Sequence, residues 1–315
     1  MDHAEAEHQR ADPVRAADSA PANATLAVPS TGASVTLQQG AATPGAYCPT
    51  CVNPNQAWPT ASFVYTIGRI EPRFPSLSVE KEFAQATGRA ETAGLTDRQV
   101  LHEVLSKPEN RYLVSQFCWV MTIERQDTYI LVPRNPADLH LLVETVRPIP
   151  DSADVDVAIG VRGPIAPPET CNGLIVPIVA FDQIYSFDRE SLIKSIPRPE
   201  KISEKEFRAA AQELFDRIMQ IADNAGATDE HRALNYCAIR YPAIYATLAE
   251  CHGHNSSLTA IEVHPSRLSS VRKILDVIFS YTNRETDVTE KFFCRVDATE
   301  EFPFLVTKLS HYFDR

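Results

Sequence analysis

The spacing of apolar residues changes twice along this chain, and those changes limit the fold more than any single motif does. Ser62 to Ile70 (SFVYTIGRI) is β-branched and aromatic, the composition of a strand. Between Ser203 and Cys251 the apolar residues fall at helical spacing instead, with Phe207, Ala210, Leu214, Ile218 and Ile221 along one face. Leu258 to Val263, Val271 to Tyr281 and Thr289 to Val296 then return to strand-like runs, with a polar turn at Asn283 to Asp287. Strands, a helical block and strands again predict an α+β fold. Its sheets are mixed or antiparallel and lie around a central helical block.

Local signals fill in the order. Val79 to Thr87 is amphipathic, preceded by Ser78 and followed by Gly88, so it predicts a helix. Thr96-Asp97-Arg98-Gln99 is a capping box for a helix reaching about Ser106, closed by Pro108. Tyr112 to Glu124 and Thr128 to Pro133 predict a hairpin around Arg125-Gln126-Asp127. Asn135-Pro136 opens a helix through Val146, while Val155 to Val161 and Leu174 to Phe181 read as buried strands. Ser203 to Glu206 is a second capping box. A helix opened by Thr228-Asp229-Glu230 should be kinked or split at Pro242 before it reaches Cys251.

Residues 1–45 have no aromatic side chain and are rich in Ala, Pro, Ser, Thr and Gln. Such a segment buries too little apolar surface to offset its ordering entropy, so a disordered tail is expected there, with one folded domain over 46–315. The net charge of −11 argues against nucleic acid as a partner. No stretch is apolar over the roughly 18 residues that a membrane helix needs, and the N-terminus has no signal-peptide core. A cytoplasmic protein is expected. Seven cysteines in a reducing compartment then point away from a disulfide framework.

Cys48-Pro49-Thr50-Cys51 carries the sharpest chemistry. A C-x-x-C turn aims two thiolates at one tetrahedral ion, which makes half of a zinc knuckle near the start of the folded part. A redox dithiol is the competing reading, but such motifs open a helix after a strand, and Asn53-Pro54 starts none. Cys118, in a strand, and Cys171, in a Pro-rich loop, can both reach an ion; Cys237 and Cys294 sit in apolar runs that suit buried thiols. Cys251-His252-Gly253-His254 offers three donors, or an ordinary helix C-terminus. Glu230 and His231 can form an acid/base pair, or a solvated first helical turn. Asp297, Glu300 and Glu301 can attract a cation or an amine, or form a solvated face. Phosphate-loop, dinucleotide, zinc-protease and serine-hydrolase motifs are all absent from the sequence.

Several stretches together carry a family resemblance: Gly68-Arg69-Ile70-Glu71-Pro72-Arg73-Phe74-Pro75, Val79-Glu80-Lys81-Glu82-Phe83, Cys118-Trp119-Val120, Arg240-Tyr241-Pro242-Ala243-Ile244-Tyr245 and Phe302-Pro303-Phe304-Leu305-Val306. From Cys48 onward the chain resembles the C-terminal domain of unknown function of cyanobactin maturation proteases and macrocyclases. That resemblance implies an accessory or binding role in ribosomal-peptide maturation, with precursor peptide or partner maturation enzymes as partners. It also implies a domain that tends to dimerise and a structural zinc on Cys48 and Cys51, completed by Cys118 and Cys171. In the family the domain follows a subtilisin-like protease; a low-complexity segment stands in that place here. The chain is therefore expected to be a separately expressed copy that neither cleaves nor cyclises peptides. The alternative is a peptide-modifying enzyme built on the zinc or on the His231 region.

Overall fold

The computed structural model describes residues 62–313 apart from 89, 91, 201 and 222. The expected tail over 1–45 and the Cys48–Cys51 knuckle lie outside the described residues.

Five strands close on themselves: β1 (Phe63–Arg73), β2 (Cys118–Ile123), β3 (Gln126–Pro133), β4 (Asp154–Ile165) and β5 (Pro177–Asp188), in the order β1-β2-β3-β5-β4. Every neighbouring pair is antiparallel except β3–β5, which is parallel. Closure leaves the barrel no free edge. The period-2 alternation of strand side chains then sorts the apolar residues into three clusters. Val64 and Ile70 of β1, Trp119 and Met121 of β2, Leu131, Ala158 and Phe181 form one cluster, to which all five strands contribute. It is the barrel's inside, joined by the helices α1 (Leu77–Thr87), α2 (Asp97–Leu105), α3 (Arg111–Gln116) and α4 (Leu139–Glu144). Tyr65 and Ile67 of β1, with Val155, Val157 and Ile159 of β4, face outward into the main core. Cys118, Val120 and Ile130 face a smaller cluster under residues 166–178.

The main core is a helical layer between the barrel and a second sheet. Four helices follow β5: α5 (Arg189–Ser195), α6 (Glu204–Met219), α7 (Asp229–Arg240) and α8 (Ala243–Gly253). The second sheet is an antiparallel meander of β6 (Ser256–Pro265), β7 (Ile274–Asn283), β8 (Thr289–Asp297) and β9 (Phe304–His311). Phe207, Ala210, Leu214 and Ile218 of α6 are all buried in this layer, as their spacing predicts. Both predicted capping boxes form, at Thr96 with Gln99 and at Ser203 with Glu206. Pro242 splits the long helix, since it supplies no N–H where Arg240 ends α7 and Ala243 begins α8.

Two buried polar contacts hold the layers together. The Asn235 side chain donates to the Tyr65 carbonyl at 2.8 Å, and Tyr65 N–H donates to the Gly226 carbonyl at 2.9 Å. Gly226 has φ of +71°, and a Cβ there would overlap the Tyr65 carbonyl, so only glycine fits. Arg232, 1% exposed, reaches from α7 to the connector between β8 and β9. It donates to the carbonyls of Ala298 (2.9 Å), Glu301 (3.1 Å) and Glu300, and to Asp229 (3.1 Å).

Some predicted boundaries shift. Residues 112–116 are helical, not strand: Leu113 and Val114 are buried among the barrel's helices, and this packing overrides their strand preference. The hairpin turns at Glu124-Arg125, whose φ values of 48° and 68° are those of a two-residue primed turn, one residue earlier than expected. The Asn135-Pro136 helix is a short 3₁₀ turn followed by α4, which ends at Glu144.

Candidate functional site

A groove crosses the outer face of the second sheet. On β7 and β8 the residues Leu275, Val277, Phe279, Cys294 and Val296 point into the core. Alternation therefore leaves Asp276, Ile278, Phe293 and Arg295 on the opposite face. With His264, Pro265 and Arg267 on one side and residues 311–313 on the other, these line a cavity of about 490 Å³. That volume lies within the roughly 300–1,000 Å³ usual for ligand sites. Two arginines, two histidines and one carboxylate line it, on a chain whose net charge is −11.

Arg295 is held on three sides. Its Nε donates to Asp276 Oδ1 at 2.9 Å and to Ser266 Oγ at 3.2 Å, and its guanidinium lies 4.9 Å from the Phe293 ring centroid. Phe293 is itself braced edge-on by Tyr312, with centroids 5.4 Å apart. The two Nη groups of Arg295 have no hydrogen-bond partner among the described residues.

A second polar cluster ties the barrel to the connector between β8 and β9. Arg134 bridges Asp182 and Glu301, its Nη1 standing 3.1 Å from the Glu301 carboxylate. Burial, reinforced by the Asp182 carboxylate, pushes Glu301 up to about 7 against the opposing pull of Arg134. One Glu301 oxygen is buried without a partner. The expected acidic patch is therefore not one site. Asp297 is buried and engaged by Arg272 and Thr299; burial alone would raise its carboxyl, but those hydrogen bonds hold it below its usual value.

The structure brings Cys118 and Cys171 together, but as a disulfide with Cα atoms 5.6 Å apart and both residues buried. The bond fastens the segment after β4 over the outside of β2, β3 and β5. Bonded sulfurs carry no free thiolate, so the pair as it stands differs from the two zinc ligands expected at those positions. A bonded pair also runs against the reducing compartment expected from the sequence. Among the described residues no group of three or more His, Cys, Asp or Glu side chains is placed to hold a metal.

The remaining sequence candidates disperse. Cys237 and Cys294 are buried with their sulfurs 3.7 Å apart, and their mutual hydrogen bond together with burial raises the Cys237 thiol well above its ordinary value. Burial pushes Cys251 up to about 12. His252 turns to Glu213 at 3.5 Å and His254 is exposed beyond the helix end, so the three donors do not converge. His231 sits in the first turn of α7 with its backbone N–H on Thr228 Oγ1, and burial lowers its pKa against the pull of Glu230 and Asp223. Sequence reasoning did not single out the groove residues, although Asp276, Ile278, Phe293 and Arg295 lie in runs read as strands; residues 311–313 fall beyond them. The alternation around Phe293 and Arg295 was the available signal.

Comparison with known proteins gives two likenesses. Residues 201–312 match the family described as PatG C-terminal, a span that holds α6 to α8 and the whole second sheet. The resemblance drawn from the sequence is thereby shown. Among solved structures, the chain is similar to the PatG domain of unknown function, with 18% identity and a TM-score of 0.66 over 80% of this chain and 98% of that one. At that identity the likeness speaks for the fold. No curated protein matches the chain.

Proposed function

We propose that this chain is a non-catalytic binding domain in the maturation of ribosomally synthesised peptides of the cyanobactin type, and that it holds precursor peptide or a partner maturation enzyme. The observation that carries this reading is the groove on the second sheet, which lies almost wholly within the residues matched by the PatG C-terminal family. A pre-oriented cation flanked by aromatic rings suits recognition of a chain better than bond cleavage. The test is to titrate the purified protein with a labelled precursor peptide and to follow the peptide's mass. Binding with no mass change is expected. A mass change would overturn the non-catalytic reading, and its loss in His231→Ala would assign the chemistry to that region.

A structural zinc on Cys48, Cys51, Cys118 and Cys171 is part of the proposal only for the reduced protein, because opening the Cys118–Cys171 bond supplies the two missing thiolates. Protein purified under reductant is then expected to carry one zinc, and oxidised protein none. Zinc at equal content in both preparations would exclude this ligand set.

A further inference from the structure

Resting on the binding reading above, we infer that the groove on the second sheet recognises a carboxylate-bearing peptide segment, with Arg295 as the residue that selects the carboxylate. A guanidinium has five donor hydrogens in a planar fork that matches a carboxylate edge. In Arg295 only the Nε hydrogen is used, by Asp276 and Ser266, and the Nη edge is unengaged among the described residues. The guanidinium lies over the Phe293 ring, 4.9 Å from its centroid, while its Nε is anchored, so less side-chain freedom is left to lose on binding. Tyr312 braces Phe293 and extends the aromatic wall, giving an apolar or aromatic neighbour of the bound carboxylate a surface to lie against. Arg267, exposed at the groove's rim, adds a second positive charge.

The charge balance distinguishes this ligand from a polyanion. Asp276 stands 2.9 Å from Arg295 inside the groove, and the chain carries a net charge of −11. A row of phosphates would meet that field over many charges, whereas a single carboxylate meets it once, at the Nη edge that Asp276 does not occupy and beside the second positive charge of Arg267. Recognition also falls to the face of the sheet and not to its β9 edge. There the Leu309 N–H is already taken by the Tyr241 hydroxyl at 2.7 Å, so an added strand finds that donor occupied.

The experiment uses fluorescence polarisation with a fluorescein-labelled peptide of alternating Glu and Phe, its Gln/Phe isostere, and a single-stranded DNA oligomer, all against the full chain. The Glu peptide is expected to bind about tenfold or more tighter than the isostere, the yield of a charge-assisted forked contact. Arg295→Lys keeps the charge and loses the fork. It should erase most of that preference while thermal unfolding stays unchanged. The isostere arm needs no variant, so it decides the matter even if a substitution fails to fold. Equal binding of Glu and Gln peptides, undiminished preference in Arg295→Lys, or tighter binding of the DNA would each overturn the inference. If a labelled precursor peptide binds with no dependence on Arg295, this site assignment falls and the binding reading stands. If no peptide binds at all, both fall.

Discussion

The barrel and the second sheet use charge in opposite ways. Inside the barrel, Asp156 is 1% exposed and its carboxylate is fully engaged. It accepts from the Ile70 N–H at 2.8 Å, Ser186 at 2.7 Å and Arg147 at 3.1 Å. Nothing is left over for a ligand, and burial still raises the acid above its ordinary value against the pull of Arg147. On the outer face of the second sheet, Arg295 is anchored by one nitrogen and keeps the other two open. A buried charge surrounded by partners specifies structure, while an anchored charge with spare donors specifies recognition.

The comparison breaks most visibly at Asp156. Replacing it with Ala leaves the buried Ser186 hydroxyl and Ile70 N–H without their acceptor and takes from Arg147 one of its two carboxylates, the other being Asp154 at 3.3 Å, at an expected cost of about 3–5 kcal/mol by chemical denaturation. A cost under about 1 kcal/mol would show that the barrel does not depend on this network.

Next in size is the Cys118–Cys171 bond, which closes a sequence separation of 53 residues. In oxidised protein Cys118→Ser should cost about 2–4 kcal/mol, and the difference should shrink greatly once both proteins are measured in reductant with a chelator that removes zinc. A non-reducing peptide map that fails to find the bond would remove the fastening of residues 166–178 from the account of the barrel.

The seam between the two regions should respond to pH. Folded Glu301 holds its proton up to about 7, whereas an ordinary glutamate loses it near 4.5. The folded state thus binds more protons than the unfolded one across that window. Stability is fully present below the lower value and falls as pH rises through the upper one. After solvent screening the loss should be on the order of 1 kcal/mol. Unfolding midpoints measured near pH 5 and about pH 8 should differ in that direction, and Glu301→Gln should flatten the difference. The smallest stability change belongs to Arg295→Lys, expected within about 0.5 kcal/mol in denaturant unfolding. A larger cost would make Arg295 a structural residue like Asp156 and would end the contrast.

Much of the secondary structure was legible in the sequence because its signals are local. A Ser or Thr three residues before Glu or Gln at a helix start can close a capping box from neighbouring residues alone, and it does so at Thr96 and Ser203. The 3.6 spacing of Phe207, Ala210, Leu214 and Ile218 needs only an apolar neighbour to become a buried face. Pro242 ends a helix by lacking an N–H, whatever surrounds it. The edge strand β9 was not legible, since polar Thr307, Lys308 and Ser310 interrupt its apolar residues and one face lies open to solvent.

What the sequence determined by itself was the α+β class, the order of blocks and the family likeness, all carried by short-range pattern. Tertiary structure decided which distant groups meet. It closed five strands into a barrel through the parallel β3–β5 pair and set Cys118 against Cys171 as a bonded pair. It also placed Ser266, Asp276, Phe293 and Tyr312 around one guanidinium. Residues far apart in the chain carry no spacing signal for such meetings. The pairing of strands fixes which side chains share a face, and that pairing forms only when the whole core is assembled.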